Sequence, residues 1–123
     1  VKKHPAVGAL RKAAQGLTFP SESEAKLEPF LWEGGGDMTP ARLLQLAGAP
    51  ADTPVEEVSL EDFFRVVPQE DRPNFDRLAK VLRQQLSGVK VYKVGGEAEK
   101  QAYIVGKTPD GHWAGLKTTV VET

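Results

Sequence analysis

Apolar residues recur along this chain with two periods, and the change between them falls at Gly88. Upstream, Phe75, Leu78, Leu82 and Leu86 repeat at helical spacing with Ala79 and Val81 beside them, which predicts a helix from Pro73 to Ser87. Lys80 and Arg83 stand towards its C-terminal end, where the helix dipole favours cations, and Gly88 is placed to close it. Downstream the period becomes two. In "VKVYKV", Val89, Val91 and Lys93 alternate with Lys90, Tyr92 and Val94, and "QAYIVGK" and "WAGLKTTVVE" follow as further strands. "GGEAEK" and "TPDGH" separate them, and Asp110-Gly111 is a hairpin signal. Three antiparallel strands therefore finish the chain, the last ending almost at the final residue.

The first half is built from shorter pieces. Val7, Leu10 and Ala14 predict a helix from Val7 to Gln15, ended by Gly16. "TFPSESEAK" reads as loop, broken by Pro20. "LEPFLWEG" is β-prone, with Pro29 pointing to an edge position. After the "GGGD" turn, Thr39 as N-cap and Pro40 in the first turn predict a helix through "ARLLQLA" that stops at Gly48. "VEEVSL" is a short strand, and Ser59 with Asp62 resembles a capping box opening a helical turn through Phe63, Phe64 and Val67. Short helix–strand alternation followed by a meander favours an α/β or α+β sandwich with an antiparallel-rich sheet, a single domain over residues 1–123.

Composition adds limits. A chain of 123 residues suits one domain with a modest core, and 40% hydrophobic with 27% charged residues is ordinary for a globular protein. The absence of cysteine removes disulfides and thiolate chemistry and suits a reducing, cytoplasmic location. "VKKHPAVGALRKAAQG" has a basic start but no apolar run behind it, so it reads as neither signal peptide nor membrane span. The net charge of −1 conceals segregation: residues 21–37 hold five acids and one lysine, residues 52–71 seven acids and one arginine, and residues 72–107 eight basic and three acidic residues. Two acidic blocks argue against direct nucleic-acid binding.

Candidate chemistry is sparse. The two histidines, His4 and His112, sit near the N-terminus and in a hairpin turn, and both read as surface residues, not members of a triad. Glu22, Glu24 and Asp37 could be drawn into a metal cage, and Glu22 with Glu24 into a small metal-dependent hydrolase, but no spacing such as HExxH or DxDxDG supports either. Trp32 and Trp113 read as core or half-buried packing residues. "PSESE" is equally readable as a loop whose serines bond backbone amides while the glutamates stay in water.

The segments "GLTFPSESEAKLEPFLWEG" and "VYKVGGEAEKQAYIVGKTPDGHWAGLKTTVVET", with "DFF" at 62–64 between them, resemble the nuclease A inhibitor family. The likeness runs in order over nearly the whole chain. It implies a three-layer α/β/α sandwich and a non-enzyme with no cofactor of its own. It also implies a cytoplasmic inhibitor that is monomeric when free. The implied partner is a secreted, sugar-nonspecific DNA/RNA endonuclease of the ββα-metal class, bound one to one. On the matching positions, Glu22 of SESE is the phosphate mimic that enters the nuclease site, with Glu24 beside it. Thr123 reaches the catalytic Mg²⁺ of the partner through its hydroxyl, next to Glu122. The family pattern carries a longer segment before the main helix, with an Asp-Trp contact pair. Here that segment is "VVPQEDRPN", and Glu70 and Asp71 are the nearest acids. That departure motivates the alternative of a protein-binding module of the same fold with a different partner.

Overall fold

The alternation after Gly88 folds as the centre of a five-stranded antiparallel sheet in a computed structural model, which describes residues 5–14, 18–19, 25–32, 39–50, 52–65, 67–95, 99–109 and 111–121. The elements are α1 (Pro5–Ala14), β1 (Thr18–Phe19), β2 (Ala25–Lys26), β3 (Glu28–Trp32), α2 (Pro40–Ala47) and β4 (Val55–Val58). Then come α3 (Leu60–Phe64), α4 (Arg72–Gln85), β5 (Ser87–Val94), β6 (Glu99–Lys107) and β7 (Trp113–Val121). The strand order is β3-β7-β6-β5-β4, and β1 and β2 form a separate two-stranded ribbon. The chain is thus one domain of the α/β class, with helices and an antiparallel sheet.

The meander is buried on both sides. Along β6, Ala102 and Ile104 belong to one hydrophobic cluster, while Tyr103 and Val105 belong to another. Because successive side chains of a strand point to opposite faces, the two clusters lie on opposite faces of the sheet. The larger one takes Leu10 and Ala14 of α1, Leu60 and Phe63 of α3, and Phe75, Leu78 and Leu82 of α4. The smaller takes Leu43 and Leu44 of α2, with Phe30, Trp32 and Trp113 half-buried at its margin. The tryptophans therefore pack as expected, and the Phe30 and Trp32 ring centroids lie 4.4 Å apart.

Local chemistry sets the helix ends. The Arg42 amide donates to Thr39 Oγ1 at 3.1 Å, and Gly48 adopts φ 74°, a left-handed cap that its missing side chain permits. The Asp62 amide likewise donates to Ser59 Oγ at 3.1 Å, but the Asp62 carboxylate accepts from Arg65 instead, so only half of a capping box forms. The helical turn correspondingly stops at Phe64, although Val67 is still buried beyond it.

Two expectations shift at Gly88. The main helix ends at Gln85; Leu86 is extended (φ −129°, ψ 152°) yet buried in the same core, and Ser87 already pairs with Lys107. Gly88, with φ 60°, lies within β5 where the register slips between Ser87 and Lys90. It therefore serves a β-bulge and does not cap the helix. The predicted edge position of Pro29 holds, since β3 pairs only with β7. The opposite edge, β4, exposes Glu56 and Glu57, which discourages further strand pairing.

Candidate functional site

The segment expected to be plain loop is mounted on a ribbon. Thr18 pairs with Lys26 and Phe19 with Ala25, so the "PSESE" of residues 20–24 is bracketed by two hydrogen-bonded ends. Immediately after the ribbon, Leu27 is 6% exposed and joins the larger core cluster. The chain then enters β3, which pairs with β7 from Glu28↔Lys117 to Trp32↔Trp113. β2 lies against β7 as well.

The direction of that ladder decides what lies near what. Going upstream from Glu28 and downstream from Lys117 leads off the same end of the sheet. Val121 is paired there with Glu99, and Val55 with Val94. Two buried residues, Thr118 and Val120, tie β7 down close to this end. Glu22, Glu24, Glu122 and Thr123 themselves lie outside the described residues, as do His4 and the Asp37 of the considered metal cage. Among the described residues, no three His, Asp or Glu side chains are grouped as metal ligands.

Glu70 and Asp71 are both exposed, and neither forms an ion pair or side-chain hydrogen bond among the described residues. They precede α4, whose backbone N-terminus favours negative charge. α4 passes directly into β5, while α3 starts just after β4 leaves the sheet. Arg83 pairs with Glu61 near the start of α3, and the Arg72 guanidinium donates to the Arg65 carbonyl just past its end. These two contacts orient α3 antiparallel to α4, and Glu70 and Asp71 stand before the end of α4 that is remote from β5.

Other acids of the 52–71 block are neutralised locally. Asp62 lies 2.6 Å from Arg65, Glu61 pairs with Arg83, and Glu57 lies 3.8 Å from Lys90. The segregation seen along the sequence is therefore partly cancelled in space, because the basic segment folds back onto the acidic one. Between α3 and α4 a half-open groove of about 180 Å³ has an apolar floor of Phe64, Val67 and Phe75. Its polar lining is Glu61, paired with Arg83, together with Arg72 and Asp76.

His112 is only half-exposed. Its amide donates to Thr108 Oγ1 at 2.9 Å, and its carbonyl accepts from the Thr108 amide at 2.8 Å, so its backbone closes the hairpin. Among the described residues, no helix is long and apolar enough to cross a membrane.

The sequence matches the profile of the nuclease A inhibitor-like protein family over residues 4–123. The chain belongs to the nuclease A inhibitor-like family. None of the curated proteins matches it. In this family member, the residue that motif reading passed over is Leu27. Its signal lay in the two-sided pattern of "LEPFLW", where Leu27 and Leu31 face one cluster and Phe30 and Trp32 the other.

Proposed function

We propose that this protein inhibits a nonspecific ββα-metal DNA/RNA endonuclease by plugging its Mg²⁺-containing active site. Membership of the family over nearly the whole chain supports the inhibitor role. The packing of β2 against β7 is the observation that carries the plug. Upstream of Glu28 and downstream of Lys117 the two strands run off the same end of the sheet, the ends that lead on to the SESE motif and to the C-terminal residues. In this reading a carboxylate and a threonine hydroxyl enter one cavity together. Glu22 occupies the position of a substrate phosphate among the basic groups of the nuclease, and Glu24 meets the rim. Thr123 offers its hydroxyl to the partner's Mg²⁺, a hard cation that accepts oxygen ligands. Glu122, Glu70 and Asp71 are the further acids that this reading assigns to contacts with the nuclease. The helices sandwich the sheet as three layers, a reading supported by the two clusters on its faces. The free protein is a monomer that acts inside the producing cell, without a cofactor of its own, and binds its nuclease one to one.

Digestion of plasmid DNA by the organism's own nuclease of this class tests the reading. The wild-type protein should stop digestion at equimolar amounts. Glu22→Gln and Thr123→Val should each weaken inhibition by at least about tenfold while melting near the wild-type temperature, because neither residue belongs to the described core. Undiminished digestion at excess wild-type protein rejects the inhibitor role. Full inhibition by both variants rejects the plug and favours a module with another contact surface.

A further inference from the structure

We infer that Leu27 is the positioning residue of the inhibitory loop, an inference that rests on the plug reading above. Leu27 stands alone between two ladders that do not continue into each other. On one side the ribbon pairs only with itself, and on the other β3 pairs with β7. A ribbon of two residue pairs has little stability of its own, so its orientation must be imposed from outside. What the structure offers for this is the Leu27 side chain, 6% exposed in the larger core, together with the contact of β2 on β7.

The register refines the point. With Glu28 opposite Lys117, Leu27 comes level with Thr118, which is 4% exposed and lies on the same face as Ala102 of the larger cluster. Val120, 5% exposed and also in the larger cluster, follows on that face. Leu27, Thr118 and Val120 thus make a buried seam under the junction of ribbon and sheet. Burying Leu27 fixes the angle at which the ribbon leaves the sheet, and with it the direction from which the ribbon presents the motif it brackets. Restricting that angle before association lowers the ordering cost on binding, so Leu27 acts on affinity without touching the partner.

A double-mutant cycle tests this with the inhibition constant against the same nuclease as readout. Leu43→Ala, at a still more deeply buried leucine on the opposite face of the sheet, controls for loss of stability. Leu27→Ala should raise the inhibition constant at least about tenfold, and Leu43→Ala less than about twofold, when both proteins are folded at the assay temperature. Leu27→Met, which refills the volume, should restore inhibition. In a Glu22→Gln background, Leu27→Ala should add almost nothing, because both changes remove one interaction. If Leu27→Ala does not fold, Leu27→Val is read in the same cycle against the same criteria. Equal effects of Leu27→Ala and Leu43→Ala, or additivity with Glu22→Gln, overturn the positioning role alone. Wild-type inhibition by Glu22→Gln itself overturns the plug, and the positioning role with it.

Discussion

The two faces of the sheet are held in different ways. On one face α1, α3 and α4 lay leucine, phenylalanine and alanine side chains onto Val91, Ile104 and Leu116, a core with almost no polar atoms. On the other, the short α2 brings Leu43 and Leu44 against two tyrosines, with an aromatic margin of Phe30, Trp32 and Trp113 left half in water. The first face also carries the seam that leads to the ribbon and to the end of β7. The difference teaches that stability and site placement are concentrated on one side, and that the other side is adjustable. Margins that can close over a small loss should tolerate mutation better than a fully enclosed interior.

The largest test of that contrast is a pair of leucine truncations. Leu78 and Leu43 are both 0% exposed, so the transfer loss is the same for each. What differs is the surrounding structure. Leu78→Ala opens a cavity between α4 and the sheet, enclosed by three helices, and should cost about 4 kcal/mol. Leu43→Ala lies under a short helix bordered by half-exposed rings and should cost nearer about 2.5 kcal/mol. Urea unfolding of the two variants gives both numbers directly. Equal costs would mean that the two faces are equally rigid, and the contrast would fall.

How far the sequence foretold this arrangement also differs by region. The strands after Gly88 were legible because they are long and carry a clear alternation. The main helix was legible for a parallel reason, its stripe of Phe75, Leu78 and Leu82. Its end was not, since Leu86 satisfies the helical spacing yet reaches the same core from an extended backbone. The β1–β2 ribbon escaped notice because strands of two residues have no period to detect. At the site, the motifs naming Glu22 and Thr123 were readable as residue types in order. That β3 begins at the end of the sheet where β7 finishes was not, because it depends on the pairing of Glu28 with Lys117, far along the chain. The charge blocks misled for a similar reason: Glu61 finds Arg83 only after α3 folds against α4.

A smaller effect should separate the faces through helix ends. Thr39 caps α2, the helix that brings Leu43 and Leu44 to the minor cluster. Thr39→Ala removes the acceptor for the Arg42 amide and should cost about 1 kcal/mol. Because α2 is short, that loss should appear as faster amide exchange over Leu43–Ala47, with α4 unaffected. Exchange rising equally in α4 would show that the two faces unfold as one unit and would remove the independence argued above.

The smallest effect at neutral pH is also the most selective. Tyr92 and Tyr103 both belong to the minor face, and burial pushes each phenol above the ordinary value of 10.0. For Tyr92 the Glu57 carboxylate acts in the same direction, by charge repulsion and by accepting the phenol's hydrogen bond. A folded pKa above the unfolded one means that the folded state holds the proton more tightly. The associated stability is complete below pH 10 and is lost as the pH rises from there through the folded values. Alkaline solution should therefore loosen the α2 face selectively, since the opposite cluster has no titrating side chain among its described members. Tyr103→Phe keeps the ring and should change stability by only a few tenths of a kcal/mol, or about that, near neutrality. Above pH 10 it should flatten part of the decline, read from unfolding midpoints at stepped pH. A decline of unchanged steepness would mean that the alkaline weakness does not arise at Tyr103, and the chemical distinction between the faces would then rest on Tyr92 and Glu57.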